Sequence, residues 1–379
     1  QKYVVGGSGV LANQFYNERT QRGFTYNLEL GKISGNWTYS FIHGVESENY
    51  NPNDLGFLLS PNEVFYFGSG GYTQYQPRNE KLQQYNVRGT VNYSRLYKPS
   101  VYNDFFITLN SFFLYKSRNA FGINARIEPF ETRDYFEPRT VDFSKFVAWS
   151  PNYMLGGFIS TDYRKPFAFD VNANYRYFDA PHRRNISASF SPRVRFSDRL
   201  SVFSSVALSS IKFEPGYVNK TIDGSPIEGL RANDILVGHR NRIIIDHSLT
   251  GRFIFNSIMG VNVRIRHYWD KVRYQEFGAL NDKGYLDLLR YNGINENGDA
   301  LFDRNVNIFN VDLQYNWRFA PGSDIIFVWK NQILNNDKEY QRDYFSNLGG
   351  LFDSLQTNSF SVRVLYFLDY LQVFPRKEV

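Results

Sequence analysis

The sequence predicts an all-β chain: a transmembrane antiparallel up-and-down β-barrel of about sixteen strands, an even number as in single-chain bacterial barrels. It fills one domain over residues 1–379. Three observations carry this. First, long stretches alternate apolar and polar residues, so each puts its apolar side chains on one face of a strand. Val306–Phe319 shows it best: Phe309, Val311, Leu313, Tyr315, Trp317 and Phe319 share a face, and Asn310, Asp312, Gln314, Asn316 and Arg318 the other. Second, connections fall into two alternating classes, short turns and long loops, which is the asymmetry of an outer-membrane barrel. Third, Tyr (28) and Phe (35) are abundant while Met is rare (2). That bias favours strands and can supply interfacial girdles.

The remaining composition excludes other classes. Cysteine is absent, so no disulfide or thiolate metal site can form. The net charge of +6 is modest and its basic residues are scattered, which argues against a nucleic-acid partner. Mean hydropathy is −0.45, and no run approaches the ~18–20 apolar residues of a membrane helix. Alternating barrel strands give such a soluble-looking average. A propeller would need a blade repeat of about forty residues, and none is present. No signal peptide opens the chain at Gln1; an exported barrel would have lost one.

In chain order, Gly23–Ile33 and the strand carrying Trp37, Tyr39 and Phe41 make a hairpin about Ser34-Gly35. A loop, Ser47–Asn62, follows. Strands are expected at Val64–Tyr75, Gln83–Tyr97, Asp104–Lys116 and Gly122–Phe130. The charged loop Glu131–Pro151 leads to Tyr153–Tyr163, Phe167–Phe178 and Asn185–Phe196. Pro192 lacks a donor and predicts a bulge or an unpaired position. Leu200–Phe213, Arg242–Phe255 and Met259–Arg273 come next, the last two joined at Asn256-Ser257. Ala320–Ser323 turns into Asp324–Leu334, and Asn358–Phe374 is the last strand. The loops Glu214–Asn241, Tyr274–Asp303 and Asn335–Gln356 are expected outside the cell. Closure requires Asn358–Phe374 to pair on both sides, with Lys2–Leu11 if that is the first strand of the barrel, and with an upstream strand if further strands precede it.

The stretches RIRHYWDKVRY (Arg264–Tyr274), Asp303–Asn331 and NSFSVRVLYFLDYL (Asn358–Leu371) resemble the outer-membrane barrel domain of unknown function found in Bacteroidota. NPNDLGF (Asn51–Phe57) and TDYRK (Thr161–Lys165) fit the same pattern. In that family a carbohydrate-binding module resembling family 9 usually precedes the barrel; no such module is visible in this sequence. The resemblance implies a Gram-negative outer-membrane location. It also implies a role in transport or binding of glycans or other nutrients. The alternatives are a structural or accessory subunit of a secretion or assembly complex, and an outer-membrane hydrolase.

Candidate residues follow from the faces. Arg88, Arg176, Arg193, Arg195 and Arg252 are expected to line the lumen, together with Arg264, Arg266, Asp312, Arg318, Arg363 and Asp369. A charge towards lipid costs roughly 2–4 kcal/mol near the midplane for Arg or Lys, so these belong in water. They either stiffen the wall as Arg–carboxylate ladders or form a cationic lining for anionic or hydroxyl-rich solutes. Trp37, Trp269, Tyr315, Trp317, Tyr366 and Tyr370 are expected towards lipid, in or near the girdles. Trp149 lies on a long loop, where sugar stacking is the other reading. Asn295–Asp303 spaces oxygen ligands around Gly298 without the full calcium-loop signature, and reads as a solvated turn. None of the five His sits in a Ser/His motif. The chain is expected to be no enzyme and to hold no metal or cofactor. Its expected partners are outer-membrane lipid and lipopolysaccharide, a glycan ligand and other outer-membrane proteins.

Overall fold

The computed structural model describes residues 2–15, 20–52, 61–140, 142–219, 227–231, 234–338 and 343–368. The chain is all-β and antiparallel, with one short helix among the described residues. The strands are β1 (Tyr3–Phe15), β2 (Thr20–Lys32), β3 (Trp37–Glu46), β4 (Glu63–Gln74), β5 (Leu82–Leu96), β6 (Tyr102–Tyr115) and β7 (Ala120–Glu128). After the small hairpin β8 (Thr132–Asp134) and β9 (Val147–Trp149) come β10 (Asn152–Ser160), β11 (Phe167–Phe178), β12 (Arg184–Arg195) and β13 (Leu200–Asn219). Then follow β14 (Leu236–Asn256), β15 (Met259–Leu280), β16 (Leu286–Leu288), β17 (Arg304–Ala320), β18 (Ser323–Asp337), α1 (Tyr344–Leu351) and β19 (Gln356–Leu365).

Seventeen strands form one sheet. Each long strand pairs with the next in sequence, apart from the β8–β9 hairpin, which is bypassed by the pairing of β7 with β10. The three-residue β16 only extends the end of β15. The sixteen other strands are therefore an up-and-down meander, as the alternation predicts.

Gly35 (φ 87°) and Gly322 (φ 71°) sit in the left-handed region at two of the short turns, where a side chain would be strained. At Pro192 the register of β12 against β13 skips two residues and resumes without a shift. The proline thus marks a position unpaired towards β13 rather than a bulge, while it stays in register with Phe169 of β11.

The two faces differ as the sequence requires. On one face Leu30, Leu109, Leu155, Ile186, Leu208 and Val362 stay at least 46% exposed. That is a continuous apolar belt across the meander, far beyond what a soluble surface leaves bare. Aromatic rings border it at both ends. Towards the short turns, Trp37, Tyr72, Tyr85, Phe113 and Phe121 run ring to ring across five strands at 4.7–6.0 Å. Phe255 and Tyr315 carry the same band further along the sheet, as do Phe319 and Tyr366. Towards the loops, Tyr26, His43, Tyr66, Tyr93 and Tyr102 form a second band. On β5 the bands are Tyr85 and Tyr93, with Val87 and Val91 between. Eight residues span about 26 Å along a strand, or roughly 20 Å of height at a barrel strand's tilt.

Four expectations are corrected. The strands β13, β14 and β15 run six or seven residues into the segments read as loops, to Asn219, from Leu236 and to Leu280. Register shifts at Ile211/Glu214 and at His239/Arg240 explain why. The first shift puts an extra residue on β13 and the second puts one, Gln275, on β15; each breaks the period of two, so the alternation stops where the strand does not. The last strand ends at Leu365 rather than Phe374; Asp369 and Tyr370 lie outside the described residues.

The third correction is that Lys2–Leu11 does not pair with the last strand. Among the described residues β19 pairs only with β18, and β1 only with β2. Both edges keep a row of free backbone groups, and every residue of β19 is exposed. Trp269 is the fourth. It lies on the apolar face but is 3% exposed, because α1 folds over that end of the belt. Leu351 and Leu348 pack on Phe309 and Ile333, and Trp269 Nε1 donates to Asn305 Oδ1 at 2.5 Å.

Candidate functional site

The face opposite the belt carries the polar residues of the strands, with Phe106, Phe112, Met154, Phe158 and Phe203 set among them. Hydroxyls meet across strands at Ser40–Ser69 (2.9 Å), Thr90–Thr108 (2.6 Å) and Ser191–Ser205 (2.8 Å). Arg88 donates to Ser69 Oγ at 3.0 Å and Thr38 Oγ1 at 3.3 Å. Asn124 donates to Asn174 at 2.9 Å. The Asn174 amide lies over Gly156, where a Cβ would meet its oxygen at 1.9 Å; only glycine leaves room for this ladder.

The charges on this face separate into two zones. At the loop end they are compensated. Glu128, with its side chain 3% exposed, accepts from Arg126 and Arg176 at 2.7 Å each. Asn152 adds a hydrogen bond to Glu128 at 2.9 Å and accepts from Arg176 at 2.8 Å. Glu214 holds Arg240 at 2.9 Å and Arg242 at 3.5 Å, and Asp270 holds Arg242 at 2.7 Å. The long connection from β7 to β10 reaches across to these strands. Glu137 accepts from the backbone of Tyr217 at 2.7 Å, and Ala148 donates to Gly284 O at 2.8 Å.

Around the short turns that flank β11–β14 the balance is lost. Lys165, Arg193, Arg195, Arg199 and Arg252 surround a hollow of about 500 Å³ whose one acidic lining residue is Asp198. None of these five cations forms an ion pair among the described residues. Arg193 instead stacks over Tyr163 at 4.2 Å and Phe203 at 5.3 Å. The local sequence does this directly: β12 ends Pro-Arg-Val-Arg, putting Arg193 and Arg195 on the same face, and β14 adds Arg252 from two strands away.

The predicted lumen residues thus fall into both readings. Arg176, Arg266 (to Asp246, 2.6 Å) and Arg318 (to Asp324, 3.1 Å) make wall ion pairs. Arg193, Arg195 and Arg252 converge on the hollow. Arg264 is Asp312's cross-strand neighbour, but the two form no ion pair. Arg363 faces Ile326 in register and is exposed. Trp37, Tyr315, Trp317 and Tyr366 lie at the short-turn end of the apolar face. Asn295 Oδ1 accepts from the backbone of Asn297 and Asp299 at 3.0 and 2.8 Å, so that loop uses its oxygens to cap its own turn. Lys165 and Arg199 were missed because they sit in turns, where alternation says nothing about direction.

A family model for the domain of unknown function DUF5916 matches residues 1–376. The chain belongs to this family. The match takes in the whole meander, both charge zones and the C-terminal motifs of β15, β17 and β19. No curated protein matches the chain. Among solved structures, the outer membrane channel DcaP of Acinetobacter baumannii is similar at 9% identity and a TM-score of 0.37, over 96% of this chain and 94% of that one. At that distance the likeness fixes no detail of this DUF5916 chain.

Proposed function

We propose that this DUF5916 chain is the wall of a Gram-negative outer-membrane β-barrel whose water-filled side takes up or passes anionic, hydroxyl-rich solutes. The observation that carries it is the apolar belt bordered by two aromatic bands roughly 20 Å apart in height, near the ~25 Å apolar band of an outer-membrane barrel. Lipid and lipopolysaccharide cover that face. The polar face supplies hydroxyl and amide ladders, and the five cations around the hollow raise the local concentration of anions. Glycans or other nutrients, including acidic ones, suit such a lining. The chain does no covalent chemistry in this reading.

The test is ion selectivity in planar bilayers. Purified full-length protein should show anion-selective conductance in a salt gradient. Replacing Arg193, Arg195 and Arg252 by Gln should lower the anion-to-cation permeability ratio several-fold. An unchanged ratio, or cation selectivity in the wild type, contradicts the role of the cationic mouth.

A second reading is favoured by one observation. The free edges of β1 and β19 expose backbone groups that cost several kcal/mol each in hydrocarbon. Further strands of this protein, or those of a partner outer-membrane protein, would satisfy them; in the second case this chain is one part of a larger assembly.

A further inference from the structure

The loop end holds a cavity that conduction does not use. It lies between the β11–β12 connection, Ala148–Ser150 and strands β13–β15, and measures about 530 Å³, the size of a small-solute site. Arg183 lines it at 6% exposure. Its guanidinium stacks on Phe178 at 4.0 Å and on Trp149 at 4.4 Å. Among the described residues it forms no ion pair, and its Nε is buried without a hydrogen-bond partner. Ser150 Oγ on the same wall and the adjacent Trp149 Nε1 are also buried and unpartnered. All three can donate, and each lacks an acceptor.

The carboxylates that act on Arg183 are already engaged: Glu128 holds two arginines, and so does Glu214. Burial pulls the Arg183 guanidinium down to about 9. A buried cation without a counter-charge is strongly unfavourable, and a guanidinium fork matches an oxyanion. Opposite it, His182, Phe213 and His239 stack ring on ring at 5.3 and 5.4 Å. Two acids complete the rim. Asp179 is exposed, and Glu276 is tied to His239 at 2.8 Å.

We propose that this cavity is a receptor site for a small organic carboxylate. The Arg183 guanidinium takes the carboxylate, Ser150 adds a hydroxyl, and the His182–Phe213–His239 stack lies along the body of the solute. The site does not depend on an open pore, so it stands or falls separately from the conductance reading.

The experiment titrates benzoate, its neutral isostere benzamide, and inorganic phosphate calorimetrically into the full chain in detergent. Benzoate should bind at least ~10-fold more tightly than benzamide or phosphate, the worth of a charged hydrogen bond. Arg183→Gln should abolish that preference, while Arg252→Gln at the opposite end should keep it. Heat-modifiable mobility reports folding of each variant. If Arg183→Gln does not fold, Ser150→Ala and the wild-type comparison of benzoate with benzamide decide. Equal binding of benzoate and benzamide, no benzoate binding, or an unaltered preference in folded Arg183→Gln overturns the proposal. Phosphate binding as tight as benzoate overturns the organic carboxylate.

Discussion

Leu155→Arg is expected to lower the folded yield in the membrane strongly. Leu155 is 62% exposed, in mid-β10, between cross-strand neighbours Ala125 and Tyr175. An arginine there adds roughly 2–4 kcal/mol at the bilayer midplane, against a total stability of only about 5–15 kcal/mol for a typical domain. The measurement is the heat-modifiable folded fraction in outer membranes. Asn172→Arg, on the water face of the neighbouring strand, should insert nearly as wild type. Equal folded yields for the two variants would show that the belt does not meet lipid.

The second large effect is expected at Glu128. Its carboxylate is the only acid that pairs with Arg126 and Arg176 among the described residues, and it also accepts from Thr132 at 3.1 Å and Asn152 at 2.9 Å. Removing one partner of a buried charge group leaves the others uncompensated, at about 3–5 kcal/mol. Glu128→Ala should lose that much in urea unfolding from micelles. The double variant Glu128→Ala with Arg176→Met should recover part of the loss, because the stranded charge goes too. A double variant as unstable as the sum of its parts would mean the pair is not coupled.

What was legible in the sequence depended on period. Where the strands alternate strictly, as in Phe167–Phe178, the observed bounds equal the predicted ones. The short turns were read from Gly35 and Gly322, which the structure holds at positive φ. The reading fails where geometry departs from two residues per repeat. The bulges before Glu214 on β13 and at Gln275 on β15 hid six or seven residues of those two strands. The buried cluster under α1 was also hidden. Asp343 accepts from the backbone of Phe345 and Ser346 at 3.0 and 3.1 Å, a capping signal that the sequence does contain. Gly349 and Gly350 weaken the helix pattern, so Tyr344, Asn347, His267 and Asn307 gave no sign that they meet. The cationic hollow was half legible: Arg193, Arg195 and Arg252 follow from facing, but their convergence is a fact of register between strands. The Arg183 site was not legible at all, since it is built from loop segments brought together only by the fold.

The central claim is that the apolar face lies in lipid and the polar face in water. The chain has no cysteine, so single substitutions report cleanly. Leu155, Ile186 and Leu208 are 62%, 48% and 46% exposed, whereas Asn172, Ser187 and Ser189 on the other face are only partly exposed. A protein surrounded by water would therefore label fastest at the apolar positions. Cysteine is placed at each of the six in turn and treated with a membrane-impermeant maleimide in native outer-membrane fragments. The account predicts labelling at 172, 187 and 189 and protection at 155, 186 and 208, with all six labelled after denaturation. Labelling at 155, 186 and 208 as fast as at the polar positions would contradict it.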